Sequence, residues 1–429
     1  MKHTFVGFGF GPIQSGLFAK EAADSGRFDE IVVAEVDGAL VDALRRNNDT
    51  YVVNVAHADR VEAVTVKGVR LLNLSVPEDI ARLRTALASA TEIVTSLPSV
   101  AFYTRGGDTS VAALIAEGLC ANPDGQTIVY TAENNNHAAE ILDEAVRREA
   151  TRWEVTRWGR HSCLPEAAAQ TGMSAPPCSC QYLNTVIGKM SQVVTDPQEI
   201  ARRNLSPIVP GVPRAFLVEA FNRILVSEIT LPGFEPGITA FEEKTDLLPF
   251  EEAKLYGHNA IHAALGFLGK RLGVALLADL RDNTEVMALA RRAFIDEIGA
   301  ALVKKHSRLG DPLFTRDGFT AYAEDLLERI TNPFLGDTVE RAIRDPLRKL
   351  GADDRIFGSI RQCLAHGIEP GALAYVAGVA LDMLPQFPEW TAGGVSSDRE
   401  ATLARLWGLE GIASSEGAQI VSLLSADGT

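Results

Sequence analysis

The feature that most constrains this chain is a glycine-rich stretch that follows directly on its first apolar run. Thr4–Phe8 is predicted to be a buried strand, and residues 7–16 read GFGFGPIQSG. Glycines at the end of a strand predict a tight turn with bare backbone. Residues 16–25 then carry the apolar spacing of a helix, and Glu30–Glu35 is a second apolar run. Strand, helix and strand in about 30 residues predict a βαβ unit.

Further apolar runs at residues 92–96 and 127–132 continue this alternation of strands and helices. Residues 1–245 are therefore predicted to form an α/β, Rossmann-type domain. From residue 246 onward, several segments carry a helical period and no run is typical of a strand, so residues 246–429 are predicted to form an all-α domain. A chain of 429 residues is long enough for two domains with separate cores.

A stretch near residues 155–182 is rich in cysteine and proline, and prolines continue to residue 213. We expect an insertion here, and we expect residues 162–213 to lack helix and sheet core. Four residues within this stretch are of types that bind zinc: His161, Cys163, Cys178 and Cys180. Their spacing is not that of paired C-x₂-C knuckles, so a structural zinc and an irregular loop both stay open. No metal is assigned to the chemistry.

The charge balance and cysteine content restrict the partners and the compartment. The chain has 41 Lys and Arg against 56 Asp and Glu, a net charge of −15, which argues against nucleic-acid binding. Five cysteines in a long chain predict reduced thiols and a cytoplasmic protein. No apolar run reaches the roughly 18 residues that span a bilayer, so no membrane partner is expected. The oligomeric state cannot be inferred from the sequence.

The glycines are spaced so that they can bind a dinucleotide. Its pyrophosphate requires close backbone approach and a helix N-terminus, which Gly9, Gly11 and Gly16 would supply. Counted from Gly9, the third position of the usual fingerprint is Gln14, so the motif alone is weak.

An acidic residue at the end of the second predicted strand strengthens this interpretation. Glu35 lies about 20 residues past the glycines, where a carboxylate bonds the ribose hydroxyls of NAD and repels the 2′-phosphate of NADP. The alternative is a carboxylate that simply faces solvent. Arg45 and Arg46 lie close in sequence and leave NADP possible. We therefore predict a dinucleotide site with NAD as the cofactor.

A second set of polar residues follows in the predicted helical domain. At about 100° per residue, Asn259 lies about 140° and His262 about 80° around the helix from Lys254. A base, an amide and an imidazole on one half-cylinder can act on one small polar molecule, because burial lowers a lysine pKa towards neutrality. A solvated helix face is the alternative. Asn134, which follows the strand predicted at residues 127–132, can meet such a helix.

These residues together resemble the polyol-specific long-chain dehydrogenases, and within that family its mannitol-1-phosphate 5-dehydrogenase branch. The family pattern of lysine, four residues, asparagine, two residues and histidine is present as Lys254, Asn259 and His262. A strand-end acidic residue followed by asparagine is present as Glu133 and Asn134. The similarity to the branch continues through residues 329–355.

The resemblance implies hydride transfer between NAD and a carbinol or ketone carbon without a metal. Lys254 would act as acid and base, Asn134 and Asn259 would donate hydrogen bonds to the alkoxide, and His262 would orient the substrate. A sugar phosphate also needs cations, and basic residues are concentrated in the second domain: Arg329, Arg341, Arg344, Arg348, Lys349 and Arg355. Arg329 and Arg348 are the first candidates, and an ordinary charged helix surface is the alternative.

The activity that the resemblance implies is interconversion of D-mannitol 1-phosphate and D-fructose 6-phosphate, or of a close hexitol phosphate. One alternative is a dehydrogenase of an unphosphorylated polyol or sugar acid, such as mannitol or a hexuronate. The other is a regulatory protein that binds a dinucleotide without turnover, although it would not need a base such as Lys254.

Overall fold

In a computed structural model, residues 3–158, 179–390 and 398–425 are described. The chain divides into two compact units, Met1–Leu247 and Leu248–Thr429. The first is built on a largely parallel sheet flanked by helices and the second is helical, which confirms the predicted fold class. No helix in the described ranges is long and apolar enough to cross a membrane.

Strands of the first unit form two sheets. They are β1 (Thr4–Phe8), β2 (Glu30–Glu35), β3 (Thr50–Ala56), β4 (Val61–Lys67), β5 (Val69–Asn73), β6 (Ala90–Thr95), β7 (Gln126–Thr131), β8 (Ser179–Ile187), β9 (Ser191–Val194), β10 (Ala215–Glu219), β11 (Ile224–Ser227) and β12 (Phe241–Lys244). The larger sheet has the order β12-β11-β8-β7-β6-β1-β2-β5, and the smaller has the order β4-β3-β10-β9.

The six strands from β8 to β5 in the larger sheet are all parallel, with β1 between β6 and β2. The sheet order therefore reverses at β1 and β6, and ligands of such sheets bind beyond the carboxyl ends of the strands at that point. The glycine turn, residues 7–16, lies at this edge. β1 is buried along its whole length, as expected for a strand covered on both faces.

Helices of the first unit pack on the two faces of the larger sheet. Their bounds are Gln14–Phe18 (a π-turn) and Ala19–Ser25, Gly38–Arg46, Pro77–Leu87, Val111–Ala121, Ala138–Trp158 and Pro197–Arg202, with 3₁₀ turns at Val100–Phe102 and Gly107–Thr109. One face buries the helix that follows the glycine turn, and the other buries three helices that begin at Pro77, Val111 and Ala138.

The expectation that residues 162–213 lack helix and sheet core is wrong for the described part of that range. β8 adds to the larger sheet beside β7, and β9 pairs with β10. Proline was a misleading signal in this range, because Pro197 is the first residue of the helix Pro197–Arg202. At that position the backbone N–H that proline lacks would have no partner within the helix. Cys180 lies in β8. His161, Cys163 and Cys178 lie outside the described residues, so the zinc question stays a prediction.

The second unit consists of helices and short turns. Their bounds are Leu248–Glu252, Ala253–Asn259 (π), Ala260–Leu272, Leu277–Leu280, Thr284–Arg291, Arg292–Gly299 (π), Ala300–His306, Ser307–Leu309, Pro312–Phe314, Arg316–Ile330, Val339–Ile343, Pro346–Lys349, Arg355–Ala365, Gly371–Met383, Leu384–Gln386, Arg399–Trp407, Leu409–Ala413 and Ser415–Ser425. A helical period over residues 338–350 suggests one helix, but the chain breaks at Asp345, whose φ is +58°. Pro346 disfavours a helical conformation in the residue before it.

Glu92 of β6 is a fully buried carboxylate in the first unit. Its Oε1 accepts a hydrogen bond from Gly237 N (2.5 Å), whereas its Oε2 has no hydrogen-bond partner in the described structure. Burial raises the pKa of Glu92 from 4.5 to about 7, although the Gly237 N–H opposes the shift. The folded state therefore holds a proton between these pH values that the unfolded state has lost, so stability falls as pH rises through this window.

Glu92→Gln should remove this dependence, because glutamine keeps the acceptor for Gly237 and carries no charge. We expect the variant to match wild type in unfolding free energy at pH 5 and to exceed it at pH 8 by on the order of 2 kcal/mol. Urea unfolding at both pH values measures this, with Glu144→Gln on an exposed helix face as the control. Identical pH dependence in Glu92→Gln and wild type would contradict the assignment.

Candidate functional site

The glycine turn requires glycine at Gly9 and leaves open space at Gly11. Gly9 has φ +82°, and a Cβ there would lie 2.7 Å from Ser96 O. Nothing lies within 4 Å of the Cβ position of Gly11, so a ligand group can approach the backbone there. The helix starts directly after it, with Ser15 N donating to Gly11 O (2.9 Å) and Pro12 in the first turn. Gly9 and Gly11 thus form a cradle at the N-terminus of this helix.

Gly16 has a packing role instead of lining the turn. A Cβ on Gly16 would lie 2.7 Å from Val218 Cγ1 and 3.1 Å from Val53 Cγ1, so its absence lets the helix approach the smaller sheet. Gln14, at the third fingerprint position, is fully buried, and its amide has no hydrogen-bond partner in the described residues. Its Nε2 occupies the space where Gly7 would carry a Cβ, 1.9 Å from that position. Gly7 is thus the compensating residue that motif reading missed.

Glu35 joins the end of β2 to the glycine turn. Its carboxylate accepts three backbone hydrogen bonds, from Phe10 N (2.8 Å), Val36 N (2.7 Å) and Asp37 N (2.9 Å). These bonds fix the carboxylate beside the cradle. Because two carboxylate oxygens offer about four acceptor sites, capacity remains for a ligand hydroxyl.

The two arginines that left NADP open lie at the end of the helix Gly38–Arg46. Arg45 donates to Asp79 Oδ2 (2.6 Å) and to Leu71 O (3.0 Å). Arg46 ends the helix Gly38–Arg46, about 12 Å along its axis from the first residue. Arg214, which the sequence analysis did not single out, is instead the arginine bonded next to Glu35, because it donates to Asp37 Oδ2 (3.0 Å) two residues along the chain.

Glu133 and Asn134 follow β7 at the same edge of the larger sheet. The buried Glu133 carboxylate accepts from Thr95 Oγ1 (2.8 Å), Leu97 N (2.8 Å) and the Tyr103 hydroxyl (2.5 Å). Burial raises its pKa, and these three donors oppose the shift. Glu133 therefore ties the ends of β6 and β7 together, whereas the side chain of Asn134 is exposed to solvent.

Lys254 lies in the lysine helix, residues 248–272 of the second unit. Burial lowers its pKa from 10.5 to about 8, with Arg355 acting in the same direction and Glu251 opposing. Residues Ala253–Asn259 form a π-turn, which corrects the regular spacing used above. Because π-turn hydrogen bonds join residues five apart, Lys254 and Asn259 lie one turn apart on the same face and not 140° apart. The angle around the helix axis between the lysine and the asparagine is therefore smaller than the sequence predicted.

His262 is held by a buried carboxylate that the sequence analysis did not identify. His262 Nε2 lies 2.7 Å from Asp337 Oδ2, and Arg341 Nη1 donates to Asp337 Oδ1 (2.7 Å). Asp337 is fully buried, which raises its pKa, but the His262 bond and the Arg341 charge outweigh this and hold it at about 2. This ionised carboxylate fixes the orientation of the imidazole. Seventy-five residues separate the partners, so no local pattern links them.

His258, on the same helix, is a further buried imidazole. Desolvation, followed by the charge of Arg329 and the neighbours His262 and Lys254, lowers its pKa well below 6.5. His258 is therefore neutral at physiological pH. A neutral imidazole beside the cationic groups avoids adding charge to a dry environment.

The basic residues of this unit divide into different roles. Arg329 is mostly buried and donates to Asp325 (3.1 Å), while the half-exposed Arg348 lies 3.6 Å from Asp345. Arg341 donates to Asp337 and so helps to hold the carboxylate that orients His262.

Two more cations are buried close to these. Arg355 is bonded to Asp354 (2.7 Å), and Lys349 donates to Ala342 O (2.7 Å). Burial, followed by the charges of Arg355 and Arg348, lowers the pKa of Lys349 to about 8. Because Arg355 lowers the pKa of both Lys254 and Lys349, it links this cationic group to the lysine helix electrostatically. No group of three or more His, Cys, Asp or Glu in the described chain has the geometry of a metal site.

Comparison with known proteins identifies relatives of both units. The family described as mannitol dehydrogenase C-terminal domain matches residues 246–387. A mannitol-1-phosphate 5-dehydrogenase of Brevibacillus brevis is 29% identical over 381 residues, covering 88% of this chain and 86% of the relative.

Two solved structures share the fold. A D-sorbitol dehydrogenase in substrate-free form aligns with TM-score 0.75 at 14% identity, over 99% of this chain and 92% of the other. The Pseudomonas fluorescens mannitol 2-dehydrogenase, solved with NAD and D-mannitol, aligns with TM-score 0.67 at 16% identity, over 99% and 90%.

Proposed function

We propose that this chain, which belongs to the polyol-specific long-chain dehydrogenase family, catalyses NAD-dependent interconversion of D-mannitol 1-phosphate and D-fructose 6-phosphate or of a close hexitol phosphate. The observation that carries the proposal is Lys254, a desolvated lysine with a pKa of about 8 on the same helix face as Asn259. Both residues lie within the matched family domain. A lysine of this pKa is a usable base near neutral pH.

The first unit fits a dinucleotide. Gly9 and Gly11 offer backbone without side chains at a helix N-terminus, where a pyrophosphate is favoured. Glu35 presents a fixed carboxylate for the ribose hydroxyls. NAD, when bound, accepts or delivers a hydride at its nicotinamide ring.

The residues of the chain supply proton transfer and orientation. In the oxidation direction neutral Lys254 takes the proton of the carbinol hydroxyl, and in reduction its ammonium returns a proton to the oxygen. Asn259 donates a hydrogen bond to the developing alkoxide, and we assign the same role to Asn134 by family resemblance. His262, fixed by Asp337, bonds a neighbouring hydroxyl and orients the substrate.

Arg329 and Arg348 are proposed to bind the phosphate of the substrate. Arg329→Ala and Arg348→Ala should each raise KM for fructose 6-phosphate by about tenfold, because a charge-assisted hydrogen bond contributes roughly 1.5–3 kcal/mol. NADH affinity should be almost unchanged. Arg344→Ala, which removes a largely exposed arginine of the same segment, is the matched control. Unchanged kinetics in both variants would show that these arginines do not bind the substrate and belong to an ordinary charged helix surface.

Initial rates with a substrate panel test the proposal. NADH oxidation is followed with fructose 6-phosphate, fructose and a hexuronate, and NAD reduction with mannitol 1-phosphate and mannitol. The proposal expects kcat/KM to be highest for the phosphorylated pair. Higher values for fructose, mannitol or hexuronate would support the alternative of an unphosphorylated polyol or sugar acid, and binding of NADH without any turnover would support a regulatory protein.

A further inference from the structure

Asp37, two residues after Glu35, forms an ion pair with an arginine that is distant in sequence. Its Oδ2 accepts from Arg214 Nη2 (3.0 Å), and its Oδ1 accepts from Leu40 N (3.2 Å) at the start of the helix Gly38–Arg46. Arg214 directly precedes β10 of the smaller sheet, so the pair joins the two sheets of the first unit. Both side chains are about one-third exposed, at 32% and 35%.

The pair lies beside the carboxylate proposed to bind ribose. Asp37 N donates to Glu35 Oε1 (2.9 Å), so the two acidic residues are connected through one short segment. Between them Val36 is 74% exposed. The segment thus presents an acceptor for ribose, an apolar surface and a charge-neutralised arginine side by side.

Stability alone gives a weak reason for this pair. A partly exposed ion pair contributes only about 0–1 kcal/mol, and the N-cap bond to Leu40 does not need Arg214. By contrast, the planar fork of a guanidinium matches the oxygens of a phosphate monoester. Asp37 bonds one nitrogen of that fork, Nη2, and adds a negative charge next to Glu35.

We propose that Arg214 is a latent binding residue for the 2′-phosphate of NADP and that Asp37 masks it, so that the Asp37–Arg214 pair acts with Glu35 to set the preference for NAD. This inference rests on the proposed dinucleotide site. It assigns cofactor selection to a charge pair between two sheets, in addition to the single strand-end carboxylate. Removing the carboxylate charge of Asp37 would then free Arg214 to bind the phosphate.

Binding of two nucleotides, measured by titration calorimetry, tests this without turnover. The probes are adenosine 2′,5′-bisphosphate and adenosine 5′-monophosphate, which differ by the 2′-phosphate. Asp37→Asn removes the charge and keeps an N-cap residue of equal quality. We expect this variant to improve the affinity for the bisphosphate relative to the monophosphate by about tenfold, because a phosphate gains a charge-assisted arginine contact.

The double variant Asp37→Asn with Arg214→Gln should lose that gain and return to the wild-type ratio. Asp37→Asn with Arg46→Gln is the matched control and should keep it, since Arg46 lies at the far end of the helix. Thermal unfolding of each variant reports whether the fold is intact.

The outcomes distinguish failure of the role of Arg214 from failure of the proposed dinucleotide site. If wild type binds the monophosphate but Asp37→Asn leaves the ratio unchanged, or if the gain survives Arg214→Gln, the role of Arg214 is wrong and the dinucleotide site stands. If no form of the folded protein binds either nucleotide, the proposed dinucleotide site fails and this inference fails with it.

Discussion

Lys254→Ala is expected to lower kcat by at least about 100-fold while leaving NADH affinity almost unchanged. The variant removes the proposed acid–base group, and general acid–base catalysis typically contributes 100-fold or more. The glycine cradle and Glu35 lie in the other unit and keep their structure. Steady-state rates and NADH fluorescence titration measure the two effects. Lys270→Ala, which removes a partly exposed lysine of the same helix, is the control.

The pH dependence gives an independent test of the same residue. Burial holds the pKa of Lys254 at about 8, so the wild-type oxidation rate should rise with pH through one ionisation near that value as the neutral amine forms. Added primary amines should restore part of the rate of Lys254→Ala. Near-normal turnover of this variant would exclude Lys254 as the acid–base group. Only the dinucleotide-binding fold would then remain of the proposal.

Asp337→Asn is expected to lower kcat about 10- to 100-fold by releasing His262 from its fixed orientation. The buried carboxylate also neutralises Arg341, so the variant should lose roughly 1–3 kcal/mol of unfolding free energy. Because Asp337 has a pKa of about 2 when folded and 3.8 ordinarily, its contribution to stability is complete above pH 3.8 and is lost as pH falls through 2.

The two effects of Asp337→Asn are separated by kinetics and urea unfolding at 25 °C, where the variant should remain folded. Glu340→Gln, three residues along and exposed, is the control for charge removal near Arg341. A loss of stability with unchanged kcat would show that Asp337 serves the fold alone and that His262 needs no orienting partner.

Much of the first unit follows from local pattern. Two strands, Thr4–Phe8 and Glu30–Glu35, have the predicted bounds, because buried parallel strands are continuous apolar runs ended by turns. The runs predicted at residues 92–96 and 127–132 form β6 and β7, each one or two residues earlier. The smaller sheet was missed because β4 and β9 are partly exposed, and because β3 pairs with β10 more than 100 residues away, a pairing that leaves no local signal in the sequence.

The candidate site shows the same division. The spacing of Lys254, Asn259 and His262 identifies three residues of one helix, but a π-turn changes their angular relation and cannot be read from a helical period. Asp337 and Arg214 act across 75 and 177 residues of sequence, and only tertiary packing brings them to their partners. A single sequence therefore predicts candidate site residues on one helix better than the distant residues that hold their side chains in place.

Transfer of deuterium from NADH to a hexitol phosphate is the sharpest test of the proposed hydride transfer. NADH dideuterated at C4 of the nicotinamide is incubated with fructose 6-phosphate and the protein, and the hexitol phosphate is analysed by mass spectrometry. We expect one deuterium in the product, on the new carbinol carbon, for each NADH oxidised, at a rate reduced at least about 100-fold in Lys254→Ala. Absence of any deuterated hexitol from protein that binds NADH would contradict it.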